Sequence, residues 1–242
     1  MTDMLQLRTS VVGLLGSAAV EEELLLASAA GDEAGQGSPA CWAAAPLIAH
    51  NTEFKRQQVT RLTAIRQGEP PPEFAEIDHR SAEVYLACSQ RSAAEVRQAS
   101  REVTAALIDG LNSTGDDDLL DPARHPWLRG RALWLQIIVR GFWHPLGHIA
   151  DYHVGHGRAA RAVELQAHAV AVASYLQAPE QARGMAHYSL ACAQARTGLA
   201  DAALVQLRQA CRLNPDLAAK AGSEPDLAEL RRGGQLEALL IS

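Results

Sequence analysis

Ala43-Ala44-Ala45-Pro46-Leu47-Ile48-Ala49-His50-Asn51-Thr52-Glu53-Phe54-Lys55-Arg56-Gln57-Gln58-Val59-Thr60-Arg61-Leu62-Thr63-Ala64-Ile65-Arg66-Gln67 sets Leu47, Ile48, Phe54, Val59, Leu62 and Ile65 on or near one helical face. Apolar residues that return every three or four positions line one side of a helix. Gly68 and Pro70-Pro71-Pro72 end the element, because consecutive prolines cannot continue it. The same period marks three more segments. One runs from Met4 to Ala30 and closes in the loop Gly31-Asp32-Glu33-Ala34-Gly35-Gln36-Gly37-Ser38-Pro39. Another runs from Asp78 or Ser81 to Leu111 through Val84, Tyr85, Cys88, Val96, Val103, Leu107 and Ile108. The last covers Pro126 to His153 and carries Trp127, Leu128, Trp134, Ile137, Ile138, Phe142 and Trp143. Four long amphipathic helices with such loops predict an all-α antiparallel four-helix bundle over residues 1–156.

Composition agrees and narrows the function classes. Aromatic residues are only 5% of the 242, and Ala, Leu, Arg and Glu, all helix formers, dominate over alternating β-branched runs. The net charge of −6, with 22 basic residues scattered among 28 acidic ones, offers no basic stripe, so no nucleic-acid partner is expected. No stretch reaches the roughly 18 apolar residues of a membrane span, and Asp3 with Glu21-Glu22-Glu23 is wrong for a signal peptide. The cysteines at 41, 88, 192 and 211 form no C-x-x-C pair and have no base at motif spacing. They predict a reduced, cytoplasmic setting without a catalytic thiol. Walker, G-x-G-x-x-G and G-x-S-x-G motifs are missing, which excludes kinase, nucleotide-dependent dehydrogenase and α/β-hydrolase readings. Asp116-Asp117-Asp118 lacks the longer calcium-loop pattern and reads as a solvated loop or a helix start.

From Gly157 the helices shorten and alanines crowd in at 159, 160, 162, 167, 169, 171 and 173. With Pro215 near the end of a unit of about 34 residues, Leu190, Ala191, Ala203, Leu207 and Ala210 fall where a tetratricopeptide repeat has Leu, a small residue, Ala, a bulky apolar residue and Ala. The small residues let paired helices approach, and Gly198 turns the chain between them. His187 stands where Trp is usual, and Gln194 where Tyr is usual. Gly157, Ala162 and Ala169 repeat the spacing of Gly198, Ala203 and Ala210 as a degenerate echo, in which the end of the fourth bundle helix doubles as the first helix of a repeat. Glu224 to Leu230 and Leu236 to Leu240 resemble short helices that close such arrays. Residues 157–242 thus resemble a tetratricopeptide-repeat segment with capping helices. Such a segment can buttress the bundle, self-associate or recruit a protein partner.

Nine histidines include one informative set. His144 and His148 lie four apart, so their Cβ atoms stand about 5–6 Å apart on one helical face. His50 belongs to the face that should enter the bundle, and three imidazoles from two helices would hold a divalent transition metal with positions left open. Pro145 and Gly147 intervene. Pro145 removes a donor and crowds the Gly141 carbonyl, so a kink is expected that either aims the two imidazoles or separates them. Glu53 and Asp151, each three residues from a candidate ligand, are candidates to orient an imidazole or act as a base, or are plain surface carboxylates. Trp143 is a candidate pocket wall, while Trp134 and Phe142 read as core. His153 and His156 read as surface or capping residues, and His79, His125, His168 and His187 as structural ones.

Trp42 followed by Ala43-Ala44-Ala45-Pro46-Leu47-Ile48-Ala49-His50 resembles the second helix of the DinB/YfiT superfamily, which opens on a Trp and closes its motif on a His. The family takes two further histidines, four apart, from its fourth helix, as His144 and His148 would be here. Glu76-Ile77-Asp78-His79-Arg80-Ser81 and the Trp-rich fourth helix look closer to the ClbS/DfsB-like branch, some of whose members depart from the three-histidine pattern. The resemblance covers residues 1–156. It implies a metal-dependent enzyme, a thiol-dependent S-transferase or related hydrolase, with zinc or nickel at His50, His144 and His148. Its partners would be a small-molecule substrate and a low-molecular-weight thiol whose pKa the metal lowers. The other reading is a non-catalytic interaction scaffold built on a retired bundle of this kind.

Overall fold

The computed structural model describes residues 4–29, 38, 41–74, 82–234 and 236. Every described element is helical apart from a single antiparallel bridge between Ser38 and Cys41. No described helix is long and apolar enough to cross a membrane. The chain separates into two compact units, with the boundary between Tyr152 and His153.

The N-terminal unit begins with α1 (Met4–Ala29) and α2 (Ala44–Gln67). Where the sequence predicts one third helix there are two, α3 (Ala82–Cys88) and α4 (Ala93–Ser113). The break has a local cause. The Ser92 hydroxyl accepts from the Glu95 N–H at 3.3 Å, and the Glu95 carboxylate accepts from the Ser92 N–H at 2.8 Å. This reciprocal pair satisfies two otherwise unpaired donors and starts a new helix. The expected start at 78 or 81, the 76–81 motif and most of the 31–39 loop lie outside the described residues. Asp116-Asp117-Asp118 opens the short α5 (Asp116–Leu120), where negative charge suits a helix N-terminus.

The predicted fourth helix is also divided. Pro126–Leu128 is an isolated 3-10 turn, Arg129 and Gly130 take left-handed conformations, and the regular helix begins only at α6 (Leu133–Ile138). A π turn over Val139–Trp143 then leads into α7 (His144–Gly155). α2 packs along α4 and on the π turn, and α1 packs on α4, on α2 and on α6 with its π turn. Leu7, Val11, Leu14, Leu15, Ile48, Leu62, Leu107, Ile137 and Phe142 fill the interior. Arg8 closes the end of α4 by donating to the Leu111 and Thr114 carbonyls and to Asp116, supplying donors where a helix leaves its carbonyls unpaired.

A charged group lies in this apolar interior. Lys55 and Glu22 are each 1% exposed at their side chains and meet at 2.6 Å. Lys55 Nζ also donates to Thr104 Oγ1 at 3.1 Å, and Ser100 Oγ donates to the same Glu22 oxygen at 2.7 Å.

The C-terminal unit is built from α8 (Ala159–Tyr175), α9 (Glu180–Arg196) and α10 (Ala200–Leu213), with α8 packed on α9 and α9 on α10. Ala162, Ala169, Ala191, Ala203, Leu207 and Ala210 are fully buried, and Gly198 turns the chain at φ +79°. Close approach is tightest at Gly184, where an added Cβ would lie 2.8 Å from Asn214 Cβ and 3.1 Å from the Ala210 carbonyl oxygen. α11 (Leu217–Ala221), a 3-10 turn at Pro225–Leu227 and α12 (Ala228–Arg232) place Leu217, Ala221, Leu227, Leu230 and Leu236 in the core shared with α9 and α10. Residues 237–240, expected to extend this closure, lie outside the described residues.

Candidate metal centre

The π turn determines how α7 presents its histidines. A proline at 145 in a regular α-helix would crowd the Gly141 carbonyl. Here the His144 N–H donates to the Val139 carbonyl, five residues back, so the backbone widens by one residue ahead of the proline. Pro145, which has no N–H of its own, follows directly as the second residue of α7. α7 continues through Pro145 and Gly147 to Gly155, and the expected kink between the two histidines is instead absorbed upstream.

His144 and His148 therefore keep their one-turn relation, with ring centroids 4.3 Å apart at 89°. α2 supplies the third ring. His50 lies 5.3 Å from the His144 ring and 5.1 Å from the His148 ring. One ring nitrogen from each of the three lies within 4.8 Å of the others. Three nitrogens about one tetrahedral ion at 2.0–2.1 Å stand about 3.4 Å apart, so the widest pair would close by at most about 1.4 Å. Small side-chain rotations cover that change. The donor set is chemically apt, since neutral imidazoles suit zinc, nickel, copper and iron. His50 is 2% exposed, while His144 and His148 are half-buried.

Aromatic rings fix the set. Trp42 stands edge-on to His50 at 5.3 Å and to Tyr85 of α3 at 5.2 Å. Phe54, one turn beyond His50, lies 4.9 Å from that ring and 4.2 Å from His144. These edge contacts restrict ring orientation as well as position. Trp143 is buried and packs on Phe142 at 5.5 Å, while the Trp42 and Phe54 rings stand against the histidines.

The two candidate carboxylates sit at the surface. Glu53 is ion-paired with Arg56 at 2.5 Å with its side chain 43% exposed, and Asp151 is exposed. Among the other histidines, His125 is buried with Nε2 3.0 Å from the Asp118 carbonyl oxygen. His187 Nδ1 lies 2.7 Å from Gln206 Oε1, and His168 is exposed on α8. His79 lies outside the described residues. His153, expected as a surface or capping residue, is buried at 7% exposure. Burial, with Arg158, Arg161 and His156 adding positive charge, pushes its pKa down to about 4. The half-buried Cys88 thiol is pushed up by burial and by Glu53, against Arg91. Burial likewise raises Cys192 and Cys211. These three thiols are thus kept protonated rather than activated.

Sequence reading did not single out Arg140, which is four residues before His144 and whose guanidinium carbon lies 4.8 Å over the Phe54 ring. That spacing was the available signal. No family model, curated protein or solved structure matches the chain.

Proposed function

We propose that the N-terminal unit is a four-helix bundle of the DinB-like kind and that His50, His144 and His148 hold one divalent transition metal, zinc or nickel. On this reading the protein is a metal-dependent transferase or hydrolase that acts on a small molecule, with a low-molecular-weight thiol as the transferred or activating group. The observation that carries the reading is the convergence of three ring nitrogens within 4.8 Å from two separate helices. When bound, such an ion supplies a Lewis acid that lowers the pKa of a water or thiol. The chain's own contribution is positional. The π turn aims His144 and His148, the Trp42 and Phe54 rings brace the imidazoles, and the half-buried edge on α7 admits a ligand. The C-terminal unit, with helix pairs closed over small residues, fits a tetratricopeptide-like role in association with a protein partner or a second copy.

Elemental analysis of untagged protein tests the assignment. About one equivalent of zinc or nickel per chain is expected, and His50→Ala should lose it while keeping its helical circular dichroism. A chain that binds no metal when reconstituted would leave the scaffold reading of the same fold.

A further inference from the structure

We infer that Lys55 and Glu22 are positioning residues for the metal centre. Their buried ion pair fixes α2, and with it His50, against the two helices that also seat the turn ahead of His144. The purpose of this device rests on the metal reading above; the positioning itself needs no bound ion.

α2 presents two different faces. Five residues turn a helix by about 140° and advance it by about 7.5 Å, so Lys55 points away from the side on which His50 and Phe54 meet His144. On its own side Lys55 Nζ donates to Glu22 Oε2 of α1 at 2.6 Å and to Thr104 Oγ1 of α4 at 3.1 Å. Ser100 of α4 closes the group, with Oγ 3.4 Å from Nζ and donating to the same Glu22 oxygen at 2.7 Å. Three helices thus meet at one ammonium group.

α1 and α4 serve the other half of the centre from the same faces. Leu15 precedes Glu22 by seven residues and Leu107 follows Ser100 by seven, so each pair lies within about 20° around its helix. Leu15 and Leu107 fill the space beside Gly141, three residues before His144. His50 is therefore held to α1 and α4 by polar bonds, and the π turn ahead of His144 and His148 by apolar contact with the same two helices.

A slip of α2 by one residue would move His50 by about 1.5 Å, as much as the whole closure of about 1.4 Å that nitrogens within 4.8 Å need to meet one ion. The hydrophobic effect has no direction, whereas hydrogen bonds this short fix partner and angle. A buried polar group is the usual means of setting register between packed helices. Stability alone does not account for the pair, since taking two charges out of water costs about as much as their attraction returns. Glu22 Oε1 adds to that cost, being buried with no hydrogen-bond partner among the described residues.

Two variants of the full-length protein separate positioning from stability. Glu22→Gln keeps the shape and an acceptor for Lys55 but strands its charge. Lys55→Met/Glu22→Leu removes both charges and every bond that fixes the register. Positioning predicts opposite orders for melting temperature and zinc affinity. Glu22→Gln should melt lower than the double variant yet bind zinc close to the parent's affinity. The double variant should bind zinc about tenfold more weakly or worse, with an altered visible spectrum after cobalt substitution. In metal-free protein the nuclear Overhauser contact between the Phe54 and His144 rings, 4.2 Å apart, should persist in Glu22→Gln and weaken in the double variant. The inference is overturned, with the metal centre left standing, if zinc affinity follows melting temperature across the variants. It is equally overturned if the double variant, folded by circular dichroism, matches the parent in affinity and cobalt spectrum. If the parent holds neither zinc nor nickel, the metal reading fails and the ring contact alone decides the positioning. Should either variant fail to fold, Ser100→Ala/Thr104→Val takes its place, because it keeps the ion pair and cuts its ties to α4. Weaker zinc binding there supports the inference, and unchanged binding overturns it.

Discussion

Leu15 of α1 occupies the space that a side chain on Gly141 would need, in the π turn three residues ahead of His144. Leu107 of α4 closes the same space at 3.2 Å. Both leucines are fully buried, so neither can swing into solvent to make room. The turn that aims the α7 histidines is therefore seated directly against α1 and α4, and the placement of the site depends on the packing of the bundle interior. Gly141→Ala should destabilise the protein by about 1–3 kcal/mol through overpacking. It should also weaken zinc binding without touching a ligand. Urea denaturation and a zinc titration measure the two effects. Unchanged values in both would mean that the α1 and α4 side chains yield freely.

The Glu22–Lys55 pair makes a second stability prediction. Removing only the cation leaves a carboxylate buried and uncompensated, so Lys55→Met should cost about 3–5 kcal/mol. Removing both charges in Lys55→Met/Glu22→Leu should recover much of that loss, since the apolar replacement no longer desolvates a charge. Ser100 would lose both Glu22 and Lys55 as partners and Thr104 would lose Lys55, which limits the recovery. A double-mutant cycle in urea reads the coupling. A single mutant within a few tenths of a kcal/mol of the parent would show that Glu22 reaches water after all.

How much of this could be read beforehand depends on whether the cause was local. α2 is bounded by Gly68 and three prolines, and its observed span agrees with the expected one to a residue. The break at residues 89–92 was also written locally, as Ser92-Ala93-Ala94-Glu95, but the long apolar spacing on either side drew one helix across it. The π turn had fainter marks, Gly141 and Pro145, and the space beside Gly141 is filled by Leu15 and Leu107 from helices far away in sequence. The histidine trio was legible because two members share a helix and the third sits in a recognisable run.

In the C-terminal unit, Gly184 predicts a sharper effect than its surroundings suggest. An added Cβ would meet Asn214 Cβ at 2.8 Å, the Ala210 carbonyl oxygen at 3.1 Å and the Asn214 backbone nitrogen at 3.2 Å. Two of these are backbone atoms at the end of α10, so no side-chain rotation relieves the clash. Gly184→Ala should push α9 and α10 apart and cost about 1–3 kcal/mol, despite the gain in helix propensity. Thermal melting followed by circular dichroism checks this. An increase in melting temperature would mean that propensity outweighs the close approach.

His153 gives the pH dependence of the same unit a sign. Its pKa is pushed down to about 4 by burial first, then by Arg158, Arg161 and His156. In the unfolded chain it returns to the ordinary histidine value of about 6.5. Between these two values the unfolded state binds a proton that the folded state resists, so stability rises with pH across the window. The stabilisation is fully present above about pH 6.5 and is lost as pH falls through about 4. His153→Gln removes the titrating group, keeps a polar side chain of similar reach, and should flatten the melting-temperature profile between pH 6.5 and 4 relative to the parent. Carboxylates elsewhere titrate at the lower end of that range in both proteins, so the informative quantity is the difference between the two profiles, not either slope alone. Parallel profiles would show that the buried imidazole accepts its proton in the folded protein as readily as in the unfolded one, and the argument from its burial would fail.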